Sequence, residues 1–241
     1  KGYLCVKGKA SREIMDSPKR VIYPQKRVGE RGSGQWQRVS WDEAQDDIAK
    51  RLNAIIDQHG ARAVAVQSLP PKDYIVFLLF LDAIGSPTYF RHDSHNCFQP
   101  QLMSDVLTYG CLTTYPAYYD VDDCDVVILW GINMLETNGS KGVRVREAQR
   151  KKGVISIVVD PRPTRSAKEA DLWLPIRPGT DAALAMGMIN IMISEGWYDE
   201  KFVAEWTLGF DALKARAAQY PPERVAEITW LAADDIREAA R

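Results

Sequence analysis

The chain has 241 residues, 26% of them charged and 46% hydrophobic, which is the composition of an ordinary globular protein. Its formal net charge of −1 excludes a general electrostatic attraction to nucleic acid or to an anionic membrane, so we expect neither as a partner. No apolar run approaches the roughly 18 residues of a membrane span, and we expect no direct membrane insertion. The cysteines, at positions 5, 97, 111 and 124, form no CxxC pair, which argues against a disulfide framework.

The first part of the chain predicts an irregular segment followed by helices. Residues 1–39 are rich in Lys, Arg and Gly and lack apolar periodicity. A helix is predicted from Ser40, because the sequence from Ser40 to Glu43 has the form of a capping box and apolar residues then recur at helical spacing until Gly60. A short buried strand over 63–66 follows. The helix predicted over 74–84 is apolar nearly all round, so we expect it to be buried.

After residue 97 the pattern becomes an alternation of strands and helices. The strands predicted over 125–131 and 154–160 are apolar at nearly every position, which suits a parallel sheet covered on both faces. A third strand is predicted over 171–175. Helices are predicted over 98–109, 139–152, 180–194, 200–206, 210–218, 223–227 and 232–241. This alternation indicates an α/β fold with right-handed crossovers.

Polar residues follow each of these three strands, where open α/β sheets bind their ligands. The candidate residues are Gly131, Asn133, Glu136 and Thr137; Asp160, Arg162 and Thr164; and Gly179, Thr180 and Asp181. Glycine lets backbone N–H groups approach an anion, and an arginine can bind a phosphate through two parallel hydrogen bonds. Asp160 could meet a ribose hydroxyl, and Asp181 could accept the N1–H and N2–H groups of a guanine.

Each strand-end motif has a plainer interpretation. The sequence Asp-Pro-Arg-Pro is also an ordinary turn after a strand, and Thr180 is also an ordinary helix cap. Three such motifs on successive strands nevertheless predict a nucleotide-like ligand. The absence of a GxGxxG fingerprint argues against a standard NAD site.

A second cluster lies between Gly85 and Cys97, where His92 and His95 precede the cysteine. By spacing alone, a single cysteine is more often a small buried residue than a ligand. The histidines either line a substrate funnel or hydrogen-bond to the local backbone. Spacing leaves these alternatives open.

The order of these motifs resembles that of the catalytic subunits of the molybdopterin oxidoreductase family, the dimethyl sulfoxide reductase group. The resemblance covers essentially the whole chain. It is carried by Cys5-Val6-Lys7-Gly8, Tyr23-Pro24, Lys26-Arg27-Val28-Gly29, Trp36, Ser40-Trp41-Asp42-Glu43-Ala44, Gly85-Ser86-Pro87, Gly131 with Asn133, Val159-Asp160-Pro161-Arg162 and Gly179-Thr180-Asp181. Residues 187–229 look closest to the acetylene hydratase branch of the family.

The resemblance implies a domain division. Residues 1–39 would be the short irregular remnant of an iron–sulfur domain with its connector, and 40–96 a first α/β segment. Residues 97–225 would form a Rossmann-like domain of parallel sheet and flanking helices that binds a guanine dinucleotide. Residues 226–241 would be a helix returning to the first segment. We expect the chain to be the central portion of a longer catalytic subunit, inactive and without bound cofactor by itself.

The resemblance also implies cofactors and residue roles. The cofactors would be a bis-molybdopterin guanine dinucleotide with molybdenum or tungsten, and a [4Fe–4S] cluster. Cys97 would be the protein ligand to the metal, with His92 and His95 as further catalytic candidates, and Cys5 would be one cluster ligand. Lys7 would lie between cluster and pterin. The strand-end residues, from Gly131 to Thr137, from Asp160 to Thr164 and from Gly179 to Asp181, would contact the dinucleotide.

The implied function is a two-electron redox reaction on a small substrate in anaerobic metabolism. Electrons would pass through the cluster, with an iron–sulfur subunit as an expected partner. Formate is disfavoured as substrate, because formate dehydrogenases of this family follow the metal-ligating residue with His, and here Phe98 follows Cys97. Two alternatives stay open: a non-redox hydratase on the same scaffold, and a pterin-free structural or electron-transfer subunit.

Overall fold

The computed structural model describes residues 4, 6–68, 74–90, 98–111, 121, 123–137 and 139–241. The chain divides into two compact units, one of Ile14–Tyr118 and one of Lys1–Glu13 with Tyr119–Arg241. The four-part domain division expected from the sequence stays a prediction.

The smaller unit begins with a hairpin and a long helix. Before it, the chain forms the short helices α1 (Val6–Lys9) and α2 (Ser11–Met15), and strands β1 (Gln25–Arg27) and β2 (Trp36–Arg38) then pair antiparallel. Half of the predicted capping box is confirmed at α3 (Trp41–His59): the Ser40 hydroxyl accepts the Glu43 N–H at 3.1 Å, but the Glu43 side chain does not accept the Ser40 N–H. The remaining elements are β3 (Val66–Gln67), α4 (Tyr74–Ile84), β4 (Tyr89–Phe90), parallel to β3, and α5 (Phe98–Tyr109).

Two expectations for this unit are wrong. The strand predicted over 63–66 is the two-residue strand β3 (Val66–Gln67) in the structure. Its start lies later because Ala61–Ala63 form a 3₁₀ turn. Helix α4 has the predicted bounds, but Val76 and Leu79 are each 64% exposed and of its described side chains Leu81 is the buried one. A helix that is apolar on all sides can be buried, but the described elements of this unit leave most of its side chains exposed.

The larger unit contains a parallel sheet in the order β5-β6-β7. The strands are β5 (Val126–Trp130), β6 (Ile155–Val159) and β7 (Leu172–Leu174), as predicted within one or two residues. Helices α6 (Met134–Thr137), α7 (Gly139–Lys152) and α8 (Arg165–Lys168) lie in the connections. The chain ends with α9 (Asp181–Ser194), α10 (Glu200–Trp206), α11 (Phe210–Ala217), α12 (Pro222–Thr229) and α13 (Ala233–Ala240). The α/β fold with a parallel sheet is therefore confirmed.

Helices cover both faces of this sheet because successive strand residues point to opposite sides. Val158 packs with residues of α6 and α7, such as Met134 and Val145. Val159, its neighbour, packs on the other face with Leu184 of α9 and Ile236 of α13. Helix α13 lies against α9 and α12 within this unit.

Close contact between α6 and α7 requires a glycine. A Cβ atom on Gly142 would lie 2.8 Å from backbone atoms of Met134 and Leu135. This contact holds α6 near the end of β5, where the candidate residues lie. Within the described ranges, no helix is long and apolar enough to cross a membrane.

Candidate functional site at the strand ends

The carboxyl ends of the three strands lie at one edge of the sheet. Trp130 is paired with Val159, and Val159 with Leu174, so the strands end in register. The ladder continues one residue further: the Gly131 N–H donates to the Val159 carbonyl at 2.8 Å, and the Asp160 N–H to the Leu174 carbonyl at 3.2 Å. The three polar loops predicted from the sequence therefore begin side by side.

The loop after β5 is fixed by Asn133. Its backbone carbonyl accepts the N–H and the hydroxyl of Thr137, each at 2.9 Å, and its Oδ1 accepts the Ser166 hydroxyl at 3.0 Å. Gly131 has φ 63°, a conformation that favours glycine. The Gly131 N–H itself is engaged by β6. The expectation that Gly131 lets backbone N–H groups approach an anion stays a prediction.

The loop after β6 is shaped by Asp160. Its Oδ1 accepts the Arg162 N–H at 2.8 Å, and its carbonyl accepts the Trp173 indole N–H at 2.8 Å. Asp160 is buried. Thr164, also buried, caps α8 by accepting the Ala167 N–H at 3.2 Å. The side chains of Asp160 and Thr164 thus stabilise the loop after β6 through hydrogen bonds to its backbone. Their contacts with a ligand stay predictions.

A cleft of about 470 Å³ lies between these two loops, within the usual size range of ligand pockets. It is lined by Asn133, Glu136, Arg162, Pro163, Thr164, Arg165 and Lys168. Arg165 pairs with Glu169 at 3.2 Å. Neither Arg162 nor Lys168 has an acidic partner among the described residues. The cleft therefore has an excess of positive charge, which suits an anionic group.

Lys7 lies beside the same loop. Its ammonium group donates to the carbonyl of Thr137 at 3.5 Å, so two residues predicted to contact the cofactor come together from positions far apart in the chain. The other N-terminal candidate, Cys5, lies outside the described residues. So do the catalytic candidates His92, His95 and Cys97.

The loop before α9 begins beside the other two loops but supplies no residue to the lining of the cleft. Gly179 has φ 83°, and Thr180 occupies the cap position of α9. The predicted capping by Thr180 is wrong in one respect: its hydroxyl donates to the Arg177 carbonyl at 2.7 Å and accepts no N–H group from the first turn of α9. Asp181 accepts the indole N–H of Trp130 at 2.8 Å, which joins this loop to the end of β5.

Sequence reasoning missed Trp130, Arg165, Ser166 and Lys168. The last three lie on α8, a single turn that has too few residues to show a helical period. The spacing of Arg165 and Lys168, three residues apart just after Pro163, was the available signal, because residues at i and i+3 share a helix face. Among the described residues, no three His, Cys, Asp or Glu side chains converge as in a metal site.

Comparison with known proteins decides the family. Residues 20–220 match the family model of the molybdopterin oxidoreductases. The chain belongs to this family. The resemblance expected from the sequence motifs is thereby confirmed.

Several known proteins are similar to this chain and are longer than it. Acetylene hydratase of Syntrophotalea acetylenica is 36% identical over 98% of the chain, and the thiosulfate reductase molybdopterin-containing subunit PhsA of Salmonella typhimurium is 31% identical over 99%. The structure of acetylene hydratase from Pelobacter acetylenicus matches with a TM-score of 0.72 and 34% identity over 98% of the chain. The chain spans about a third of the length of these relatives, 32%, 31% and 32% respectively.

Proposed function

We propose that this chain is the central, dinucleotide-binding portion of a molybdenum or tungsten oxidoreductase that acts on a small substrate. The observation that carries the proposal is the pair Arg162 and Lys168, which lack acidic partners among the described residues and line a cleft at the strand ends. A pterin guanine dinucleotide contains a diphosphate, and such a group is bound by Arg and Lys side chains at the ends of parallel strands. Family membership supports the assignment.

The residues present fit such a group. Arg162 and Lys168 would bind its phosphates, and Asp181 would accept the guanine N–H groups. Lys7 would contact the anionic pterin from the side of Thr137. When bound, the group would supply a metal centre capable of two-electron redox chemistry.

The other chain residues position these contacts. Asp160 and Thr164 hold the loop that carries Arg162, and Asn133 ties the β5 loop to α8. Cys97 is proposed as the protein ligand to the metal, with His92 and His95 beside the substrate. Cys5 is proposed as one ligand of a [4Fe–4S] cluster, which would link the subunit to an iron–sulfur partner.

A non-redox hydratase is the second candidate, favoured by the 36% identity to an acetylene hydratase. In this case the same residues would bind the pterin group, and the metal would activate water as a Lewis acid. The two candidates differ in one requirement, since hydration consumes no electrons.

Assays on the full-length protein that contains this chain, produced anaerobically with molybdate or tungstate, test the proposal. An oxidoreductase oxidises a reduced viologen dye only when dimethyl sulfoxide, thiosulfate or a similar small acceptor is present. A hydratase converts acetylene to acetaldehyde with no electron donor. A protein that yields neither metal nor pterin on extraction would contradict both candidates and favour a structural subunit.

A further inference from the structure

A single hydrogen bond joins two of the three strand-end loops. The indole N–H of Trp130, the last residue of β5, donates to Oδ1 of Asp181, the first residue of α9, at 2.8 Å. An indole nitrogen is only a donor and an ionised carboxylate is only an acceptor, so the direction of the bond is unambiguous.

The two partners differ in how firmly they are held. The Trp130 ring is half-buried and packs against the core cluster that includes Val159 and Leu174. Asp181 is exposed, and the neighbouring Thr180 hydroxyl is turned away to the Arg177 carbonyl. The terminal torsion of an aspartate is intrinsically broad. The ring therefore fixes the direction of the N–H, and the N–H in turn fixes the orientation of the carboxylate.

We propose that Trp130 is a positioning residue for base recognition, holding the Asp181 carboxylate in the orientation that accepts the N1–H and N2–H groups of guanine. This inference rests on the proposed function, which assigns the guanine contact to Asp181. A carboxylate offers about four lone-pair directions, so the bond from Trp130 leaves enough acceptors for both guanine groups. Adenine presents an acceptor at N1 and is rejected.

The proposal predicts how the nucleotides GMP and IMP compete. IMP differs from GMP by lacking the N2 amino group, and a hydrogen bond to a charged acceptor changes affinity by roughly ten- to a hundredfold. The ratio of the two affinities therefore reports the orientation of the Asp181 carboxylate. General changes in folding or in phosphate binding cancel from the ratio.

The test uses the cofactor-free, full-length protein and competition between GMP and IMP. Wild type prefers GMP by about tenfold or more. Trp130→Phe keeps the ring and removes the N–H, and the preference falls about threefold or more because the carboxylate is no longer preorganised. Asp181→Ala abolishes the preference, and adding Trp130→Phe to it changes nothing further. Trp206→Phe, the same chemical change at a ring that is 76% exposed on α10, leaves the ratio as in wild type.

The outcomes of the competition distinguish the role of Trp130 from the guanine contact of Asp181. If wild type prefers GMP and Trp130→Phe retains the full preference, Trp130 does not position the carboxylate. If wild type shows no preference for GMP, the guanine contact of Asp181 is wrong, whereas the diphosphate contacts proposed for Arg162 and Lys168 are tested separately by the release of GMP from the loaded protein.

A second measurement keeps the test valid if Trp130→Phe fails to fold. In wild type labelled with nitrogen isotope in tryptophan, GMP shifts the Trp130 indole N–H resonance and IMP shifts it less. Asp181→Ala abolishes that response. An indole resonance that does not respond to saturating GMP would overturn the proposal.

Discussion

The backbone N–H of Arg162 donates to the carboxylate of Asp160 at 2.8 Å. The buried acidic residue that ends β6 therefore forms the turn from which the cleft arginine extends. Asp160, which the sequence suggests as a ligand contact, therefore has a structural role in the loop after β6.

Replacing Asp160 should destabilise the fold through this turn. Asp160→Ala leaves the Arg162 N–H without its acceptor and is expected to lower the free energy of unfolding by about 1–2 kcal/mol. Asp160→Asn keeps an acceptor oxygen in the same place and should recover most of the loss. Urea unfolding of the three proteins checks this. Equal losses in the Ala and Asn variants would show that the turn does not depend on the side-chain acceptor.

Stability should depend on pH through Asp171. Its pKa lies below the usual value because its carboxylate accepts the backbone N–H of Ser156 and is further hydrogen-bonded to the Ser156 hydroxyl. A lowered folded-state pKa means that the carboxylate contributes stability above the unfolded pKa of about 3.9. That contribution is lost as pH falls through the folded-state value.

The measurement is the difference in unfolding free energy between wild type and Asp171→Asn across pH. We expect about 1 kcal/mol near neutral pH, since the carboxylate is partly exposed, and a shrinking difference below about pH 4. A difference that stays constant down to pH 2 would contradict the account.

A side chain at position 142 should lower the free energy of unfolding. The added Cβ of Gly142→Ala would meet the backbone of Met134 and Leu135 at 2.8 Å, so α6 must shift at a cost of about 1–3 kcal/mol. Alanine ordinarily stabilises a helix relative to glycine, so the sign of the change is diagnostic. Arg150→Ala, on the exposed side of the same helix, is the control and should change the unfolding free energy by less than about 0.5 kcal/mol. A stabilised Gly142→Ala variant would exclude the close contact.

Glu169 should contribute more to stability than an ordinary surface acid. It receives two hydrogen bonds from the Arg146 guanidinium, at 2.7 and 2.8 Å, and a further one from Arg165. Glu169→Ala is expected to cost about 1 kcal/mol, because the paired geometry joins α7 to the end of α8. Glu147→Ala, which removes an exposed pair with Lys151 within one helix, should cost a few tenths of a kcal/mol. Equal costs in denaturant titrations would contradict this ranking.

The sequence predicted the elements of the larger unit because its signals are local. The strands around Leu129 and Val158 are apolar at every position except Ser156. Gly131 marks the end of the first strand, and Gly153 lies in the turn before the second. The strand-end position of Asp160, Arg162 and Asp181 followed from these elements alone. Family membership followed from the order of the motifs.

What the sequence did not predict depends on contacts between distant positions. The bond between Trp130 and Asp181 joins residues 51 positions apart, and nothing in either neighbourhood indicates it. Helix α8 is a single turn without a period, so Lys168 was not recognised as a cleft residue. The exposure of α4 was not predicted. An apolar sequence indicates that a helix can be buried, but it does not indicate which element covers the helix.

The most direct test of the central claim measures the dinucleotide itself. The full-length protein carrying Arg162→Ala and Lys168→Ala is produced with its cofactor supply, and the GMP released by acid hydrolysis is quantified together with molybdenum and tungsten. Lys214→Ala, at an exposed position on α11, is the matched control. We predict that the double variant loses most of its GMP, about tenfold or more, while the control retains the wild-type amount. A double variant that releases as much GMP as wild type would contradict the assignment of the strand-end cleft as the dinucleotide site.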